Sequence, residues 1–569
     1  MTTLRRLACL LAIVMLASAV GTSAAIVSGV GPAAASGPQL NSTGSSFAGV
    51  AITQWEGQFD EIDGGNINFT VSSSILGMNA FCQRTVDFGA TDISYATQQS
   101  VCSTSQVPYP FQYMPDVAGG LAFEYNVQGT NGQRITNLVL NGPTLLGIFT
   151  GSIKNWDDPA IQALNPTVPL PKQAITAYFR ADASGENYLL GDYFLHVDPG
   201  PLTAFQTEAS VPTAPGTPSA TWASFSNGVP NNLNTLVGET GADPESQEPL
   251  QNPGGISYVE TAYAKNVGLP VASVINAAGI PVQPTSYNVA EALTAAILYS
   301  DLTQNLGGVY TNTNPNTYPL SAYSYFAAQC VPAQAATQNF QCDSSGNVTM
   351  GTAQGAELSQ FIQFVACLGQ DKMASLGYSP LPPNLVEDDF QAAGRLPGGT
   401  TPPAPTPQNC PNPYITGALA PVSGPTVVTS APPGGPDTTG AAAALAAAGS
   451  AHAAAAAAAS AAAGATTGTA AGGAGPTTPA AVAAAAAAAA KVKKAAADPL
   501  TNPLLTAPRQ LALTNAANRA LSGWSPAQIA LWSTVFVVFI VGVPLGLWAL
   551  QRRRRPGLPD PGNTGGGVP

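Results

Sequence analysis

Phe179-Arg180-Ala181-Asp182-Ala183-Ser184-Gly185-Glu186, written FRADASGE, continues the apolar run ITAYF and opens the helix-like NYLLGDYFLHV. A strand that runs through a Ser-Gly turn into a helix is the repeating joint of an α/β protein. It leaves unpaired backbone N–H groups and a partial positive charge at the helix start. With Arg180 beside them, these groups form a cradle suited to an oxyanion. The ordinary alternative is that Arg180 simply pairs with Asp182 on the surface.

The same strand–turn–helix rhythm extends outward from this joint. Between Leu40 and about Gly399, short apolar runs alternate with Gly- and Asn-containing turns and helical patterns, as in α/β domains. NINFTVSSS (66–74) reads as a strand entering a turn, and VDFGATD (86–92) as a second strand with its carboxylate at the far end. LAFEYNV (121–127) alternates like a strand, and PTLLGIFTGSIKNW (143–156) reads as a helix and turn. PGGISYVE (253–260) follows, then helices expected over 289–302 and 354–368.

After Leu396 the composition changes abruptly. Residues 397 to about 505 are Pro-, Thr- and Gly-rich and then nearly pure alanine. Such a stretch has little surface to bury and builds no core of its own, so it reads as a spacer that holds a globular head at a distance. Alanine runs favour helix within it, and Pro and Gly favour extended chain.

The chain ends carry targeting signals. Arg5-Arg6, the apolar LACLLAIVMLASAV and the small residues near Ala33 to Ser36 have the layout of a secretory signal, and place the mature start near Gly37. Cys9 precedes the end of that apolar run and is badly placed for lipidation. Near the other end, Ile529 to Leu550 is charge-free and long enough to cross a bilayer, with Trp524, Trp532 and Trp548 suited to the interfaces and Arg552 to Arg555 directly behind. The expected order is therefore signal peptide 1–36, head 37–399, spacer 400–524, transmembrane helix 529–550 and cytoplasmic tail 551–569. Head and spacer should lie outside the cell, on a single-pass protein of the cell membrane.

Only 9% of the 569 residues are charged, and the net charge is −12. No basic face appears outside the extreme ends, which argues against nucleic acid as a partner. Apart from Cys9, the cysteines are Cys82, Cys102, Cys330, Cys342, Cys367 and Cys410, an even set in an exported chain. Six cysteines allow fifteen pairings. Sequence proximity favours Cys82–Cys102, Cys330–Cys342 and Cys367–Cys410. No Cys or His spacing suits zinc, the only histidines are His196 and His452, and Asp60-Glu61-Ile62-Asp63 lacks the alternating oxygen ligands of a calcium loop. No metal and no cofactor is expected. A serine hydrolase would need a GxSxG elbow and a histidine, and the head offers only His196, in an apolar helical stretch, so no enzyme activity is expected.

The order STGSSFAG, VDFGATD, LLGIFTGSIKNWDDPAIQALNPTVPLP, FRADASGE and GGISYVETAYAKNVGL resembles the phosphate-binding subunit of phosphate-specific ABC transporters, and DLTQNLGGVYTNTNPNTYPLSAYSY its actinobacterial branch. The long middle block is the most diagnostic. The resemblance covers about Leu40 to Leu396 and implies a two-lobed type II periplasmic-binding-protein fold. Lobe 1 would span about 37–120 and 262–399, and lobe 2 about 121–261, with phosphate closed between them and an ABC permease as partner. It also implies a phosphate site of Ser46, Phe47, Ser74 and Asp92 from one lobe, and Arg180, Ser184, Gly185 and the position of Glu186 from the other.

These residue types suit the task. Arg180 supplies charge, and the N–H groups of Ser184 and Gly185 with the hydroxyls of Ser46 and Ser74 supply hydrogen bonds. Asp92 accepts a proton-bearing oxygen of hydrogen phosphate, whereas sulfate would face it with a bare oxygen. Its alternative is a strand-end carboxylate bonded to a turn. On this reading, Arg180→Ala should abolish anion binding with little cost to the fold.

Two positions depart from the pattern. Glu186 replaces the relatives' threonine, and Ile75-Leu76-Gly77 follows Ser74 where relatives run Ser-Gly-Gly. If Glu186 points inward, Arg180 faces two carboxylates and a dianion is disfavoured; if outward, it stabilises the helix N-terminus. The alternative function is a surface receptor, scaffold or adhesion module with altered or lost phosphate binding.

Overall fold

Two βα crossovers open the head in the computed structural model, which describes residues 37–224, 230, 233–332, 342, 346–428, 430 and 432. β1 (Leu40–Gly44) leads through a serine-rich turn into α1 (Gly49–Asp63), and β2 (Ile67–Val71) returns parallel to β1. α2 (Ser74–Cys82) then carries the chain to β3 (Phe88–Thr91), parallel to β1 on its other side. Parallel neighbours require such crossovers, and the helices cover the sheet face that the apolar strands present. Where α2 crosses β1 and β3, Gly77 lets the backbones meet: a Cβ there would lie 2.5 Å from the Ala90 carbonyl oxygen.

The centre of the molecule is β4 (Phe111–Tyr125), fifteen residues, all buried. LAFEYNV was expected to alternate, but its strand is covered on both faces and shows no exposed side. The first part of β4 pairs antiparallel with β9 (Ser321–Gln329), and Leu121–Tyr125 pairs with β7 (Gly255–Glu260). The register shifts opposite Ser324 and Tyr325, next to Pro115, which has no N–H to give to the ladder.

Beyond β7 the strands run parallel again. α3 (Gly142–Phe149) precedes β5 (Thr176–Arg180), α4 (Gly185–Val197) follows it, and β6 (Leu236–Glu239) closes the edge. The full sheet order is β2-β1-β3-β9-β4-β7-β5-β6. In open sheets of this kind ligands bind beyond the carboxyl ends of the strands. Here β1, β3 and β5 end at Gly44, Thr91 and Arg180, immediately before Ser45, Asp92 and the FRADASGE turn.

Three further expectations meet the structure. The helix expected over 289–302 is shorter: α5 (Ser286–Leu293) stops, and Ile297–Leu298 forms β8. The run AILYS has β-forming residues, and a strand partner claims it. Besides the antiparallel Gln304–Asn305, β8 pairs in parallel with β10 (Thr426–Val427), so the packed head runs past Gly399, where composition places the start of the spacer. In this Pro-rich stretch, Cys410 and Asn412 are fully buried, and the Asn412 side chain donates to the carbonyls of Ala366 and Leu381. The 354–368 helix is α6 (Thr352–Ala366).

The bonds Cys82–Cys102, Cys330–Cys342 and Cys367–Cys410 are all formed, the last tying the end of α6 to the Pro-rich segment after Gly399. The signal peptide 1–36, nearly all of the spacer beyond Val428, the transmembrane helix 529–550 and the tail 551–569 lie outside the described residues.

Candidate functional site

The FRADASGE turn is held from behind by one side chain. Ser184, in extended conformation, caps α4 by accepting from the Asn187 N–H at 3.2 Å. Asn187 then donates to the carbonyls of Arg180, Asp182 and Ala220 at 3.0, 3.2 and 2.8 Å. Tyr258, on β7, donates its hydroxyl to the Asn187 side chain and accepts the Arg180 N–H. Every member of this frame except the partly exposed Asp182 is buried, so the turn is shaped before any ligand arrives.

Arg180 is the one Lys or Arg side chain that is fully buried among the described residues. Its Nη1 donates to Ser46 Oγ at 2.7 Å and to Glu186 Oε2 at 2.8 Å. Its Nε donates to Asp182 Oδ1 at 2.8 Å, and its Nη2 bonds Asp182 Oδ2. Ser46 in turn donates to Glu186 Oε1 at 2.9 Å. Glu186 therefore points inward, with 1% of its surface exposed, and its carboxylate sits between the arginine and the serine expected to hold an oxyanion. The surface pairing of Arg180 with Asp182 is half right: the pair forms, but the guanidinium is buried. Burial alone would lower the Arg180 guanidinium; Glu186 first and then Asp182 outweigh it and hold it above its ordinary range.

Asp92 forms a second polar knot. Ser45 and Ser74 both donate to its carboxyl group, Ser74 at 2.6 Å, and its N–H bonds Ser74 Oγ at 3.1 Å. Burial, and then the nearby charge of Glu186, push its carboxyl up to about 7. Gly185 lies directly against this knot, for a Cβ there would be 2.2 Å from Asp92 Oδ2 and 2.5 Å from Ser74 Oγ. The start of α4 and the loop after β3 thus touch with only a hydrogen between them.

The expected residues sort as follows. Ser46, Ser74, Asp92, Arg180, Gly185 and Glu186 converge on one place. Ser184 turns its side chain back to its own helix. Phe47 is a core ring stacked beside Gly119, and its carbonyl accepts the Tyr378 hydroxyl at 2.7 Å. Ile75 is buried in the same core. Ser45 and Asp182 were missed. Ser45 stands in the quoted STGSSFAG, where two adjacent serines offer no way to tell which faces the site. Asp182 stands in FRADASGE itself, where its nearness to Arg180 was the signal.

Beside Asp92 opens a cavity of about 390 Å³, lined among others by Ser94, Tyr188, Asp192, His196 and Gln304. His196 Nδ1 lies 2.8 Å from the Asp192 carbonyl, and its ring packs on Tyr310. Gln304 is already engaged by the Asp92 and Tyr323 carbonyls.

A family model described as a PBP superfamily domain matches residues 29–367. Among curated relatives, the phosphate-binding protein PstS 3 of Mycobacterium tuberculosis is 28% identical over 358 residues, covering 62% of this chain and 84% of that one. The phosphate-binding protein PstS of Xylella fastidiosa is 27% identical over 350 residues, 61% of this chain and 83% of its own. A solved structure, the phosphate binding protein from Stenotrophomonas maltophilia, aligns at 18% identity with a TM-score of 0.43, over 68% of this chain and 100% of that one.

Proposed function

The chain belongs to the PBP superfamily, and from that premise we propose that its head captures inorganic phosphate outside the cell for uptake through an ABC permease. In this reading the head is carried on the Pro/Ala-rich spacer and held at the cell membrane by one helix over 529–550, with the C-terminus in the cytoplasm. It acts as a binding protein rather than an enzyme. The observation that carries the proposal is Arg180: a fully buried guanidinium at a helix start, reached by a hydroxyl from the other half of the molecule, Ser46. A buried cation of this kind requires an anion.

Phosphate would take the place between Arg180 and Ser46, with the N–H groups at the start of α4 and the Ser74 hydroxyl as further donors. Asp92 in its ionised form would accept a hydrogen bond from hydrogen phosphate that sulfate has no proton to make, and because its carboxyl is raised to about 7 this preference would be full only above that pH. The names of the relatives, which are phosphate-binding proteins, support the same ligand.

A second reading rests on one specific observation: the Glu186 carboxylate already satisfies Arg180. A receptor, scaffold or adhesion module on this fold would need nothing more. Calorimetric titration of the full chain in detergent with phosphate and with sulfate at neutral pH separates the two. Phosphate binding with sulfate silent supports capture. Silence with both favours the scaffold.

A further inference from the structure

Glu186 occupies the seat that the capture reading gives to phosphate, and the inference drawn from this rests on that reading. We propose that Glu186 is a built-in competing ligand, and that phosphate enters by displacing its carboxylate from Arg180 and Ser46 together with uptake of one proton from solvent by the released carboxylate. The head would thus take up phosphate and a proton as a pair, and would hold phosphate more tightly in acid surroundings.

The geometry leaves few other outcomes. The two N–H groups of Arg180 Nη1 go to Ser46 Oγ and Glu186 Oε2, and Ser46 Oγ gives its own proton to Glu186 Oε1. The remaining guanidinium nitrogens are spent on Asp182. An oxyanion that accepts from both Nη1 and the Ser46 hydroxyl, as the capture reading requires, therefore replaces Glu186. Once released, Glu186 cannot move far, because it sits in the first turn of α4, whose neighbour Gly185 is pressed against Asp92 and Ser74.

What faces it there is acidic. Arg180 on β5 and Asp182 in the turn form the ion pairs already described. Around them, Asp92 after β3, Glu245 on helix 242–251 and Glu260 at the end of β7 all feel the Glu186 charge, as do the phenols Tyr258 and Tyr263. Glu245 is fully buried, and neither of its carboxyl oxygens has a hydrogen-bond partner. An ionised Glu186 stripped of Arg180 would add an uncompensated charge to that set, beside an incoming anion. Protonation removes the charge and turns the side chain into an O–H donor for a phosphate oxygen. The proton comes from water and resides on a Glu186 carboxyl oxygen; no other bond is made or broken.

The test is phosphate titration of the full chain in detergent at pH 8, in buffers of differing ionisation enthalpy, for the wild type and Glu186→Gln. Uptake of about one proton more by the wild type than by the variant is expected, with tighter binding by Glu186→Gln at pH 8. The wild-type affinity should gain up to about tenfold per unit fall in pH relative to the variant, as one linked proton requires. Equal proton counts and parallel pH profiles would overturn the displacement while leaving phosphate capture standing. No binding by either form at pH 6 or pH 8 would overturn the capture reading itself. Should Glu186→Gln not fold by circular dichroism, the wild-type count decides: less than about half a proton at pH 8, where free phosphate is already almost wholly the dianion, refutes the proposal.

Discussion

Arg180→Ala removes the hub of the candidate site, and the geometry assigns the change a cost to the fold that a purely ligand-binding arginine would not have. Four charge-assisted hydrogen bonds vanish, two to Asp182 and one each to Glu186 and Ser46. The loss is unevenly shared. Asp182 keeps the Gly241 N–H at 3.0 Å and 18% of its side-chain surface, so water can replace the arginine. Glu186 is left buried with Ser46 alone as donor. Removing one partner of a buried pair costs about 3–5 kcal/mol because the other charge is stranded. Below the point at which the stranded carboxyl protonates, only lost hydrogen bonds remain, worth about 1–3 kcal/mol. Urea unfolding of the full chain in detergent, followed by tryptophan fluorescence, should therefore show a larger loss at pH 8 than at pH 5. The double variant Arg180→Met/Glu186→Leu should recover most of the pH 8 loss. A loss below about 1 kcal/mol at pH 8, or the same loss at both pH values, would refute this account. Sequence alone led to the expectation of an intact fold, which holds for an arginine that waits for its ligand but not for one already paired.

Gly185→Ala should cost about 1–3 kcal/mol, since its methyl group would enter the space of Asp92 and Ser74, and a thermal melt unchanged from wild type would contradict the close approach. If phosphate is the ligand, Asp92→Asn should weaken its preference over sulfate by supplying an amide donor to either anion, and competition titration would show no change if Asp92 only braces its loop. The head should also be more stable in mild acid than at alkaline pH. Asp92 and Glu124 are held up to about 7 and about 8, chiefly by burial, above their unfolded values near 4. A raised folded value gives stability that is fully present below the unfolded pKa and is lost as pH rises through the folded one. The urea midpoint should therefore fall between pH 5 and pH 8.5, and a flat or rising profile would count against these buried neutral acids.

Much of the fold was legible because its signals are local. The β5–turn–α4 joint announces itself through an apolar run, a Ser that caps and a Gly that opens the helix, all within FRADASGE. The three disulfides join each cysteine to its neighbour along the chain, where loop closure costs least. The misjudged elements depend on distant partners. β4 shows no exposed face because helices and strands far along the chain cover both sides of it. The 297–298 strand pairs on one edge with the nearby 304–305 and on the other with β10, which comes back from 426–427. The Pro-rich segment after Gly399 packs because Cys410 and Asn412 find partners on α6 and beside it, which composition averages away.

By itself, then, the sequence determined the α/β rhythm, the arginine at a helix start and the set of hydroxyls and carboxylates available to an anion. These follow from side-chain chemistry and from neighbours a few residues apart. Tertiary structure alone decided how Glu186 points. Its orientation is set by Ser46, 140 positions away, and by a turn pinned through Asn187 and Tyr258. A carboxylate in the first turn of a helix is stable either in water or on a buried guanidinium, and only the packing of the serine turn after β1 against the start of α4 makes the second available.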